Sequence, residues 1–96
     1  MDIDDLLKEK RADILAIAAR HGATNVRVFG SLARGDAGPD SDVDLLVDMQ
    51  PGRSLLDVSS LLVDLQELLG RRVDVVTEQS LYWLLRRRIL KEARPL

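Results

Sequence analysis

The chain reads as a small α/β domain, α+β in its packing: a mixed three-stranded sheet with helices packed on it, in the order α-β-α-β-α-β-α. Three observations predict this. Short β-branched runs alternate with stretches whose apolar residues recur at helical spacing, and strands alternating with helices call for a sheet covered by helices. Glycine or proline punctuates the boundaries, at Gly22, Gly30, Pro51-Gly52, Gly70 and Pro95. Apolar residues make up 46% of the 96, enough for one packed core. No repeat, low-complexity tract or long linker divides them, so a single domain over residues 1–96 is expected.

Ile3, Leu6, Leu7, Ile14, Leu15, Ile17 and Ala18 lie on one face of a helix running from Ile3 to about His21. Gly22 stands where a left-handed residue ends such a helix. Asn25 to Phe29 is short and β-branched, a strand that stops at Gly30-Ser31, where a brief second helix begins. Residues 36–41 form a loop, punctuated by Gly38 and Pro39. Asp42 to Met49 is the next strand, and Pro51-Gly52 turns the chain. Ser54 with Asp57 three residues on approximates a capping box. Leu55, Val58, Leu61, Leu62, Leu65, Leu68 and Leu69 then give one helix a wide apolar face, which Gly70 ends. Arg72 to Thr77 is a third strand, and a last helix runs from about Ser80 to Glu92, with Pro95 beyond it.

Composition excludes several chemistries. Without cysteine there is no disulfide, thiol catalysis or Cys-based zinc site, and a reducing cytoplasm fits. His21 is the only histidine, placed at a helix end where a capping role suits it. The start, Met1-Asp2-Ile3-Asp4-Asp5, lacks the basic and apolar regions of a signal peptide, and no apolar run approaches the ~20 residues of a membrane span. A cytoplasmic protein that keeps clear of membranes is expected. Phe29, Tyr82 and Trp83 are the only aromatics, a poor platform for stacking single-stranded nucleic acid. Tyr82 and Trp83 either pack on the sheet or form a patch facing a partner. The net charge is −2, yet Arg86, Arg87, Arg88, Lys91 and Arg94 face Glu92 alone near the C-terminal end. Such a run suits either a solvated helix face or a partner surface, and at least one of the three consecutive arginines must be exposed.

Chemistry concentrates in the middle. Side chains alternate along a strand, so Asp42 and Asp44 share a face while Val43, Leu45 and Val47 point to the core. Like charges at that range repel, and a shared divalent cation relieves them. Mg²⁺ favours a few carboxylates plus phosphate oxygens over an all-protein cage. Alone, Asp-x-Asp is equally a solvated strand end. Asp74 adds weight because it interrupts a run of valines. If its strand lies beside Asp42–Asp44, three acids converge, the set that two-metal phosphoryl transfer needs. Its other reading is an edge charge that deters aggregation, or an ion pair with Arg72. Gly30-Ser31 opens a helix where backbone N–H groups receive phosphate; Ser31 can add its hydroxyl, and Arg34, one turn on, its fork of donors. Alone, this is an ordinary turn with a serine cap. The spacing is neither a P-loop nor a Rossmann fingerprint.

Taken together, Gly30-Ser31-Leu32-Ala33-Arg34-Gly35, the spacer ending in Ser41, and Asp42-Val43-Asp44-Leu45-Leu46-Val47 resemble the signature of the DNA polymerase beta-type nucleotidyltransferase superfamily. Within it the chain is similar to the minimal nucleotidyltransferases of bacteria and archaea, little more than a palm-like core. The resemblance covers nearly the whole chain and no position departs from it. It implies that Gly30, Ser31 and Arg34 bind the triphosphate. Asp42 and Asp44 would ligate Mg²⁺, two ions being expected, and Asp74 would complete the metal site and act on the nucleophile. It also implies a setting, because such proteins commonly act as antitoxins of a HEPN-domain ribonuclease toxin, some by moving AMP from ATP onto a toxin tyrosine.

The expected activity is therefore Mg²⁺-dependent transfer of AMP to a protein hydroxyl. One alternative is an idle antitoxin that masks its toxin by binding alone. Another is nucleotide addition to RNA ends, for which a basic channel is lacking, so direct nucleic-acid binding is not expected. A chain this short has little surface left to hold a macromolecular acceptor, and a partner or second copy is expected to supply the missing wall.

Overall fold

A computed structural model describes residues 2–96. Helix α1, Ile3–Arg20, opens on Asp2, whose carboxylate accepts from the Asp5 amide at 2.8 Å, with Asp4 and Asp5 in the first turn where the helix dipole favours anions. Strand β1, Ala23–Phe29, leads into a single helical turn, α2, Ser31–Arg34. Strand β2, Val43–Met49, helix α3, Leu55–Leu69, and strand β3, Val73–Thr77, follow. The last helix, α4, is Trp83–Glu92, and Arg94–Pro95 form a two-residue strand, β4.

The sheet is mixed and runs β3-β2-β1-β4. β1 and β2 are antiparallel, with Phe29 opposite Asp44 and Val28 opposite Leu45. β2 and β3 are parallel, which obliges the chain to cross over between them, and α3 is that crossover. α3 is well delimited. Ser54 and Asp57 close a full capping box, and Gly70 ends the helix at φ +63°.

Helices α1 and α3 cover one face of the sheet. Ile14, Leu61 and Leu65 meet Val43, Leu45, Val47 and Val73 in one core, each such side chain contributing roughly 1.5–3 kcal/mol by leaving water. His21 takes the C-cap position of α1 through its backbone N–H, while its imidazole Nε2 lies 2.6 Å from the Asp64 carboxylate and ties α1 to α3. Among the described residues no helix is long and apolar enough to cross a membrane.

Four details differ from the sequence reading. A fourth strand exists: β4 pairs antiparallel with β1, and the Leu96 amide donates to the Val26 carbonyl at 3.0 Å. Two residues carry no periodicity to read, and proline is tolerated there because an edge strand can spare an N–H. The last helix starts at Trp83, not Ser80, because Thr77 and Ser80 cap one another and wind Glu78–Ser80 into a 3₁₀ turn. β1 starts at Ala23, two residues early, and bulges at Asn25, which sits at φ +49°. Finally, Leu46 is as buried as Leu45 although it shares the face of Asp44. It lies between Arg27 and Val76 in the register, so the face that carries the acids is closed to water at this position.

Candidate active site

The face of the sheet away from α1 and α3 carries the acids. Parallel pairing sets Asp44 directly beside Asp74, flanked by Val43–Val73 and Leu45–Val75. Paired residues on neighbouring strands lie ~4.8 Å apart and point the same way. The valines around Asp74 divide accordingly: Val73 is buried and Val75 packs against the core, while Asp74 is exposed. Asp42 lies one residue before β2, exposed, with Oδ2 4.0 Å from Nε of Arg72. The arginine that might have paired with Asp74 thus approaches Asp42 instead.

The three acids bear on one another electrostatically. Partial burial pushes the Asp44 carboxyl above the usual aspartate range, and the Asp74 and Asp42 charges add to the effect while Arg34 opposes it. Further along the same face, Asp48 shows the contrasting case: Arg27 Nη2 donates to it at 2.9 Å and Asn25 Nδ2 at 3.0 Å. Asp48 is compensated from within the fold, whereas Asp44 is set against two like charges.

Among the described residues, no three His, Cys, Asp or Glu side chains converge tightly enough to hold a metal ion. Asp44 and Asp74 stand abreast and Asp42 lies to one side, bordering with Asp74 a depression of about 350 Å³ that Leu62 and Gln66 of α3 also line and Asp44 does not reach. The donor set nevertheless fits a hard divalent cation, being all carboxylate, with one member disfavoured as a free anion.

Gly30 joins this group through its backbone. It holds φ +71° and ψ −147° at the head of α2, and a Cβ there would run into the Asp44 carboxylate. Only glycine permits both the conformation and the approach. The Arg34 amide donates to the Gly30 carbonyl at 3.1 Å, closing the turn. Helix geometry leaves the preceding amides without partners inside the helix. Ser31, half-buried, stands at the first position. The Arg34 side chain is held by Glu92, at 3.3 Å, and by Asp36, at 3.4 Å, and these hydrogen bonds raise its pKa further.

Two contacts to α2 escape sequence reasoning, those of Glu92 and Arg94, the latter donating to the Leu32 carbonyl at 2.9 Å. The one available signal was Glu92 as the lone acid in a basic stretch. Arg86, Arg87 and Arg88 are all exposed. Tyr82 and Trp83 do not pack on the sheet, being 59% and 72% exposed beside the equally open Leu84 and Leu85.

Residues 10–96 match the family model described as a nucleotidyltransferase domain. The chain is 42% identical over 87 residues to a candidate protein adenylyltransferase of Methanocaldococcus jannaschii, covering 91% of this chain and 94% of that one. It is 45% identical over 73 residues to the protein adenylyltransferase MntA of Thermococcus cleftensis, covering 76% and 74% respectively. A solved structure described as a candidate minimal nucleotidyltransferase superimposes with a TM-score of 0.87 at 52% identity, over 100% of this chain and 97% of the other. A toxin–antitoxin structure with AMP-PNP matches with a TM-score of 0.74 at 20% identity, over 88% and 69%, a likeness of fold. The chain belongs to the nucleotidyltransferase domain family, as residues 30–47 imply, and is an enzyme of that class. Within the family it is similar to the minimal, MntA-like nucleotidyltransferases.

Proposed function

We propose that this protein transfers AMP from ATP to a hydroxyl on a partner protein, a tyrosine of a HEPN ribonuclease toxin, and so acts as its antitoxin. The observation that carries the catalytic part is the β2–β3 register, which sets Asp44 and Asp74 abreast beside the glycine turn at Gly30. The names of the relatives as protein adenylyltransferases support the acceptor class.

In this reading the acceptor oxygen attacks the α-phosphorus in line and the bond to the β-phosphate breaks. Pyrophosphate leaves, and the hydroxyl proton passes to Asp74, the exposed carboxylate of the pair. The Gly30-Ser31 turn and Arg34 hold the β- and γ-phosphates so that the leaving group stays aligned. Asp42, Asp44 and Asp74 would hold Mg²⁺, drawn closer together around it, and the ion would neutralise phosphate charge there. The residues given these roles belong to one domain, taken as residues 1–96.

The experiment is the intact mass of the proposed toxin partner, incubated with this protein and ATP. A gain of one AMP unit or a multiple is expected, and it disappears with Asp44→Asn and with Asp74→Asn. An unchanged mass in wild type, with no pyrophosphate released, overturns the proposal. The open apolar run Tyr82, Trp83, Leu84 and Leu85 favours a second reading, neutralisation by masking alone. Masking survives the double substitution of Asp44 and Asp74, and catalysis does not.

A further inference from the structure

The chain returns to the nucleotide site at its far end. Glu92, in the last turn of α4, has a side chain only 18% exposed, and both its carboxylate oxygens lie 3.3 Å from Arg34 Nη1. Asp36 takes Nε of the same guanidinium at 3.4 Å. These acceptors engage Nε and Nη1 and leave the N–H groups of Nη2, which lies between them, for a further acceptor.

Two residues later Arg94 crosses to α2 and donates to the Leu32 carbonyl at 2.9 Å, an oxygen that the Gly35 amide also reaches at 3.3 Å. Pairing with Val28, and the Leu96 amide on the Val26 carbonyl, give Arg94 a fixed origin on the sheet. One short segment therefore secures both the side chain and the backbone of the turn that follows Gly30-Ser31.

We propose that residues 92–96 supply two positioning residues to the nucleotide site: Glu92, which orients the Arg34 guanidinium toward the triphosphate, and Arg94, which fixes the α2 turn. The proposal rests on the reading of Arg34 as a triphosphate ligand. A free arginine loses rotamer freedom when it binds, and Glu92 imposes that loss beforehand. The same carboxylate repels an incoming phosphate. Its charge is shared, however, between Arg34 and Arg88, which lies at 3.3 Å, and these two cations balance Glu92 and Asp36.

Isothermal titration of the intact protein with AMP-PNP and with AMP, both in Mg²⁺, tests this. Glu92→Gln is expected to weaken AMP-PNP about tenfold, the worth of one charge-assisted contact, and to leave AMP within about twofold. It adds nothing in an Arg34→Met background. Arg94→Gln produces the same selective loss, and Arg87→Gln, at an exposed position on the same helix, leaves both affinities unchanged. AMP-PNP binding at wild-type strength or tighter in Glu92→Gln overturns the proposal, and so does an equal loss for both nucleotides. Should Glu92→Gln not fold, Glu92→Asp answers the question: a loss confined to AMP-PNP supports positioning, and none refutes it. If folded Arg34→Met binds AMP-PNP normally, it is the underlying reading of Arg34 that has failed, and the proposal falls with it.

Discussion

Replacing Asp44 with asparagine keeps the size of the side chain and removes its charge. Asp74 stands abreast of it on the neighbouring strand, and Asp42 lies two residues away. Two unit charges about 5 Å apart in water repel by about 0.8 kcal/mol, somewhat less in salt. Like charges facing each other across strands cost roughly 0.2–1 kcal/mol. Asp74 is exposed, so screening discounts the effect, and a gain of about 0.5–1 kcal/mol is expected. In a domain of this size 1 kcal/mol moves Tm by roughly 4–8 °C, so Asp44→Asn should melt roughly 2–8 °C above wild type at pH 7 in EDTA.

The pH dependence has a definite sign. Burial first, then Asp74 and Asp42, raises the Asp44 pKa in the folded protein, which therefore holds this proton to higher pH than the unfolded chain does. Wild-type stability falls as pH rises through that window. The advantage of the variant is full above the window and vanishes as pH drops below the unfolded aspartate value of about 3.9. Mg²⁺ raises the Tm of wild type more than that of the variant, since a ligand stabilises the state that binds it. Calorimetry across pH, with EDTA and with Mg²⁺, reads all three effects. A variant that melts at or below wild type in EDTA refutes the reasoning, because the Asp44 anion would then be stabilised by its surroundings.

Three further outcomes are expected. Gly30→Ala forces a side chain into a left-handed conformation and against the Asp44 carboxylate, lowering stability by roughly 1–3 kcal/mol and abolishing nucleotidyl transfer, read by calorimetry and pyrophosphate release. Asp57→Asn removes a carboxyl held below its usual range, first by the Ser54 amide and then by Arg53. The stability it contributes is present above the unfolded carboxylate range and lost as pH falls through the folded value, so the variant melts lower at pH 7 and the gap closes in acid. Leu61→Ala empties a fully buried position on α3 and should cost about 2–5 kcal/mol in a denaturant titration, a large share of what a domain this small possesses.

Local chemistry is what made the fold readable. Ser54-x-x-Asp57 announces the start of α3, Gly22 and Gly70 the ends of two helices, and a carboxylate among valines flags Asp74 as a residue kept for something other than packing. Long-range partners leave no such trace. Glu92 and Arg34 are 58 residues apart, and nothing in either neighbourhood foretells their meeting. Nor does a period of two reveal that Leu46 is covered as fully as Leu45, or that Arg72 approaches Asp42 rather than Asp74. The alternation expected along Asp42–Asp44 holds for Asp44, whereas Asp42 falls just outside the ladder, where neighbouring loops decide its direction.

The strand that carries Asp74 has a consequence for assembly. Asp74 stands exposed between buried Val73 and Val75, which packs on the core, so pairing with β2 one residue out of step would turn the carboxylate toward the core and both valines outward. Such a chain would not survive as a stable but misaligned enzyme; it would come apart. Correct spacing of the acids is thus proofread by the same packing that folds the molecule, and defective copies are removed by instability before they meet a nucleotide.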